Sequence, residues 1–230
     1  MKHLLIEIAR HGPWPLRKGS MTNASGSVAA AHAACAIAGI LTGCLIAGIF
    51  LLGSLVLPAR VALLLSLCFG LAASIPNGRL HGWSQPLRAG QALILGLLTI
   101  VKLEMLSEID LEWIPVVMIC GAAWSRAASL CAVQHPVVGL RAASATGRLG
   151  CLMLGMLPLL FFGIWPEPVW GLWVAAAVSL LLSRAIRPLT WASSIAVRWS
   201  LGETVFCLCV LLLMSATTLS EMPDEDIPGS

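Results

Sequence analysis

Between Ser20 and Ala59 the chain carries no Asp, Glu, Lys or Arg, and no other feature constrains its fold as strongly. A helix needs about 20 predominantly apolar residues to cross a hydrocarbon layer ~30 Å thick. The apolar part of this run, from Val28 to Leu57, is longer than that, and Pro58 closes it. The same character extends over the rest of the chain, which is 58% hydrophobic and 11% charged. Soluble domains run at about 45–50% and about 25%, so the composition argues against a cytosolic enzyme, a disordered chain or a nucleic-acid-binding domain.

Six further stretches have span character. Residues 61–75 end at the turn signal Pro76-Asn77-Gly78, and residues 89–106 carry one cation, Lys102, near their end. Residues 113–133 enclose Arg126 and stop before His135-Pro136. Residues 149–165 and 169–186 are separated only by Pro166-Glu167-Pro168, which reads as a tight turn between antiparallel helices. The last span covers residues 201–219. With the first span at 28–57, the expectation is an all-α polytopic transmembrane helix bundle of about seven spans, a single membrane-embedded domain over residues 1–219. Residues 1–18 read as a short amphipathic segment with Leu4, Leu5 and Ile8 on one face. Residues 220–230 read as a disordered acidic tail.

Cation placement sets the expected orientation. With the amino terminus in the cytoplasm, the inner loops hold Lys2, Arg10, Arg17, Lys18, Arg79, Arg88, Arg141, Arg148, Arg184, Arg187 and Arg198, whereas the outer loops hold only Arg60. The positive-inside rule favours this arrangement. Six spans, with the first two merged, would put Arg79 and Arg88 opposite the basic amino terminus. The expected arrangement is therefore a chain that crosses a membrane several times, with the amino terminus cytoplasmic and the carboxyl terminus external.

Several residue types read as packing. The cysteines fall in predicted spans without a Cys-x-x-Cys, and the five histidines are scattered. Buried cysteine behaves as a small hydrophobe. Trp113, Trp165 and Trp170 are expected at the outer membrane boundary, and Trp191 and Trp199 at the inner one. Gly39 and Gly43 permit close approach of a helix neighbour.

Ionisable groups inside the membrane are costly and point to function. Lys102 either snorkels to the outer headgroups or neighbours Glu104. Arg126 lies deeper and needs a carboxylate, a phosphate or backbone carbonyls, so pairing with Glu203 and binding a phosphate are both open. Glu203, near the cytoplasmic start of the last span, is placed to cap that helix. No catalytic residue emerges from the pattern alone.

Over nearly its whole length the chain resembles the cobalamin synthases, the adenosylcobinamide-GDP ribazoletransferases. The resemblance is carried by Glu7-Ile-Ala-Arg-His-Gly-Pro-Trp-Pro15, by Ala38-Gly-Ile-Leu-Thr-Gly43 and by Val101-Lys-Leu-Glu-Met-Leu-Ser107. It continues in Ala123-Trp-Ser-Arg-Ala-Ala128 and Gly202-Glu-Thr-Val-Phe206. The resemblance implies a multi-pass inner-membrane transferase that joins adenosylcobinamide-GDP to α-ribazole, releases GMP and uses Mg²⁺. Its product is adenosylcobalamin, or the 5′-phosphate when α-ribazole phosphate is the acceptor. Implied partners are the bilayer and, as a homo-oligomer or otherwise, membrane proteins of the cobalamin pathway.

Two acidic motifs of that family have no counterpart here. The segment Ala73 to Arg88 carries no carboxylate where the family has an Asp-rich loop, and neither does Pro188 to Ile195 before the last span. Mg²⁺ in phosphate chemistry is usually held by one or two carboxylates plus substrate phosphates, and here Glu203 is the one dedicated candidate. Phosphate-binding cations are better supplied: Arg79, Arg88, Arg141, Arg148, Arg126 and Lys102 are candidates for a nucleotide diphosphate. The alternatives are a catalytically degenerate homologue serving as a membrane scaffold or partner, and a small permease built around Lys102 and Arg126.

Overall fold

The computed structural model of the protein describes residues 28–74, 89–132, 145–162, 169–185 and 195–220. These form seven helices and no strand: α1 Val28–Ser54, α2 Ala59–Ser74, α3 Ala89–Ser107, α4 Ile114–Ala132, α5 Ala145–Phe162, α6 Val169–Ala185 and α7 Ile195–Ser220. The expected amphipathic segment 1–18, the turn at 166–168 and the tail from 221 lie outside the described residues. A chain this apolar forms helices because a helix satisfies its own backbone hydrogen bonds where water cannot. Six buried hydroxyls inside the helices are satisfied in the same local way. Thr42, Thr99 and Thr204 donate to the carbonyls of Ala38, Leu95 and Ser200, four residues back, and Ser66, Ser129 and Ser179 donate to carbonyls three residues back.

Three stretches are long and apolar enough to cross a membrane: Ala33–Ser54, Ala89–Ser107 and Ala196–Ala216. The other four helices are apolar but shorter, with cores of 10–17 residues. Two boundaries differ from the sequence expectation. α1 stops at Ser54 rather than continuing to 57, and Val56 and Leu57 turn back onto the Gly53 carbonyl. α7 begins at Ile195, six residues before the expected 201, so that Trp199 and Glu203 lie within the helix.

α4 is the centre of the bundle. Every residue from Gly121 to Ser129 is buried, and α1, α5, α6 and α7 all pack on this helix. Small residues make the approach possible. A Cβ at Gly43 would lie 2.8 Å from Ile119 Cα, and one at Gly39 would lie 2.9 Å from the Ala122 carbonyl oxygen. On the other side of α4, Gly202 of α7 faces Ser125, and Gly121 faces Phe206 of α7. Along each of these pairs one residue number rises as the other falls, so α4 runs antiparallel to α1 and to α7. The indole of Trp124 reaches α6, donating from Nε1 to the Ala176 carbonyl at 2.8 Å and to Ser179 Oγ at 2.6 Å. That satisfies the one polar atom of a side chain only 2% exposed.

α2 and α3 are peripheral and present large apolar side chains outward, among them Leu65, Phe69, Leu93, Leu97 and Ile100. Continuous apolar exposure of this kind is costly in water and natural against lipid. Gly43→Leu should separate α1 from α4 and lower thermal stability in detergent, with a cost of about 1–3 kcal/mol or more for the overpacking. Gly48, with nothing within 4 Å of a built Cβ, is the control: Gly48→Ala should leave the melting temperature nearly unchanged.

Candidate functional site

α3 carries its two charges, Lys102 and Glu104, two residues apart, and residues at that spacing point to different sides of a helix. Each side chain therefore meets a different neighbour. Glu104 turns outward to Arg60 of α2, whose Nη2 lies 2.6 Å from Oε1 and 2.7 Å from Oε2. That pair is exposed, at 64% and 55% for the two side chains, and solvent screening leaves it little energy in an aqueous setting. Lys102 turns inward and donates from Nζ to Glu203 Oε2 of α7 at 2.8 Å. Its side chain is 10% exposed and that of Glu203 is 18% exposed.

The register of α3 on α7 brings this pair together. Two turns before it, Leu95 of α3 packs with Ala196 and Val197 of α7 in a small buried cluster. Leu95 and Ala196 have the same sequence offset as Lys102 and Glu203, so the two helices run parallel and in step. This corrects two expectations. Lys102 neither snorkels outward nor pairs with Glu104. Glu203 does not cap α7, because the helix begins eight residues earlier and has no acid in its first turn.

Arg126 of α4 is the most enclosed charge, 1% exposed. Its Nη1 donates to the Ala38 carbonyl of α1 at 2.7 Å, and its guanidinium lies 4.9 Å from the ring centroid of Trp199. A Cβ at Gly39 would fall 3.2 Å from Arg126 Cδ, so that glycine also leaves room for the arginine stem. The Ala38 carbonyl accepts from Thr42 as well. Glu203 acts on Arg126 electrostatically, although the carboxylate's hydrogen bond goes to Lys102. Trp199, expected at the inner membrane boundary, is instead 6% exposed and forms a wall against the arginine.

Lys102, Arg126 and Glu203 thus converge from three helices, Lys102 and Glu203 by a hydrogen bond and Arg126 through the field of Glu203. Arg79, Arg88 and Arg141 lie outside the described residues, and Arg148 lies on α5, which begins at Ala145 rather than 149. At 1% exposure Arg126 is closed to a nucleotide arriving from solution, so its cation serves the packed interior. Ser200 and the Ala38 carbonyl belong to this interior polar layer and have no signature in the sequence. The parallel register of α3 and α7 brings in the first, and the close approach of α1 and α4 brings in the second.

Mg²⁺ does not fit the residues around Glu203. The ion prefers several oxygen ligands, and this carboxylate already accepts a lysine ammonium and lies in the field of Arg126. No group of three or more His, Cys, Asp or Glu among the described residues is placed to hold a metal ion. No family model, no curated protein and no solved structure matches the chain.

A buried ion pair is sensitive to loss of one partner, because the survivor keeps its desolvation cost. Lys102→Met and Glu203→Gln should each destabilise the purified protein by about 3–5 kcal/mol. The double variant should cost clearly less than the sum, as measured by thermal unfolding in one detergent. Additive losses would show that the two side chains act independently.

Proposed function

We propose that the chain is a seven-span membrane protein built on the cobalamin synthase plan and that it acts on the same substrates, adenosylcobinamide-GDP and α-ribazole. One observation carries the reading. The three central and carboxyl-terminal motifs of the resemblance lie far apart in sequence, yet one ionisable residue from each, Lys102, Arg126 and Glu203, joins a single polar layer. The chain retains this layer although it lacks the acidic motifs.

The seven-span arrangement draws support from helix direction. α1 runs against α4, α4 against α7, and α3 with α7, as alternating crossings require. α4 has an apolar core shorter than a standard span, but Ile119 lies at the depth of Gly43 and Gly121 at the depth of Phe206, midway along two helices long enough to cross. With the amino terminus inside, the cations Arg79, Arg88, Arg141 and Arg148 share the cytoplasmic side. A nucleotide diphosphate would meet arginine forks there.

A second reading is a catalytically degenerate homologue that acts as a membrane scaffold or partner. The poor fit of Glu203 to Mg²⁺ favours it, since the carboxylate that a metal would need is held by Lys102.

The full chain in lipid nanodiscs, given adenosylcobinamide-GDP, α-ribazole and Mg²⁺, distinguishes the two. Release of GMP with formation of adenosylcobalamin supports the transferase. No product above empty nanodiscs, with retained binding of adenosylcobinamide-GDP, supports the scaffold, and neither product nor binding overturns both. In topology mapping, a reporter fused after Arg88 should read cytoplasmic and one after Glu112 external. The opposite result at either site would overturn the seven-span arrangement.

A further inference from the structure

Where α1, α2, α3 and α7 meet, a small cavity is lined by Lys102, Glu203 and Ser200 together with Ile46, Leu67 and Leu95 on the apolar side. Its volume, about 20 Å³ for the centre of a water-sized sphere, is room for about one water molecule. The polar groups around it have hydrogen-bonding capacity to spare. Ser200 is 6% exposed, and its hydroxyl has no hydrogen-bond partner among the described residues. Lys102 has three N–H donors and makes one hydrogen bond, to Glu203 Oε2, which leaves the other carboxylate oxygen able to accept. A buried hydroxyl without a partner costs free energy comparable to a lost hydrogen bond.

The geometry points to an intramembrane site for a single water molecule, held between Ser200, Lys102 and Glu203. The volume matches one such molecule. The lining offers ammonium donors and a carboxylate acceptor side by side, so a neutral guest that both donates and accepts suits it better than an ion. A water there accepts from the ammonium, donates to the carboxylate and satisfies the serine. Three partners are typical of a buried structural water. The site does not depend on the transferase reading, because it requires only the α3–α7 register and the ion pair.

Hydroxyl-radical labelling tests it. Brief X-ray irradiation of the full chain in lipid nanodiscs generates radicals from bound water, which oxidise the side chains beside it. Ile46, Leu67 and Leu95 line the cavity, whereas Leu106, Leu172 and Val210, at 1–6% exposure against 2–8% for the first set, do not line it. Mass spectrometry should find the first three oxidised several-fold more than the second three. Ser200→Val, which fills the space and removes the hydroxyl, should bring the two sets level. Equal labelling of both sets in the unaltered protein would overturn the site, whatever the variant does. Loss of GMP formation without a change in labelling would bear on the transferase alone.

Discussion

The structure depends on how closely other helices can approach α4. Packing between helices in an apolar solvent cannot draw on the hydrophobic effect, because lipid is as apolar as leucine, and must come from close van der Waals contact and hydrogen bonds. Gly39 and Gly43 bring the α1 backbone against α4, and Gly202 and Gly121 do the same between α4 and α7. With α1 and α7 both seated on α4, the remaining helices have their places: α6 is tied through Trp124, α5 through Gly155 against Ala127, and α3 through α7. A bulky side chain at these positions would act on the whole bundle.

Close approach also governs the charges. Arg126 is tolerated in the interior because α1 lies near enough for the Ala38 carbonyl to accept from it and because Trp199 offers a ring face. Lys102 is tolerated because the register of α3 on α7 delivers a carboxylate. With two cations and one carboxylate, the layer favours hydrogen-bond acceptors rather than a divalent cation. The same logic separates the two charges of α3, which leave the helix on different sides and join it to α7 inside and to α2 outside.

Much of the architecture was legible in the residues. Charge-free runs and the turn signals around them located the seven helices of the described residues, five of them within three residues at both ends, because a helix in an apolar medium must be long, uncharged and closed by Pro, Gly or charge. The exceptions are instructive. α7 starts at Ile195 and α5 at Ala145, and in both cases the charge-free run begins only after an arginine, Arg198 or Arg148, that lies inside the first turns of the helix. A flexible cation near a helix end does not stop the helix.

The candidate site was legible only as a set of residues. From the residues alone it follows that Lys102, Arg126 and Glu203 lie in apolar surroundings and need partners, since the cost of a buried charge is a local property of residue and solvent. Which partner each would take was decided by tertiary structure. The sequence offered Glu203 to Arg126 and Glu104 to Lys102, whereas the helix packing gave Glu203 to Lys102, Glu104 to Arg60, and a backbone carbonyl and an indole ring to Arg126. The reason is geometric. A contact between helices depends on their direction, register and separation, and these follow from where small residues let two backbones meet, which no single helix records in its own sequence.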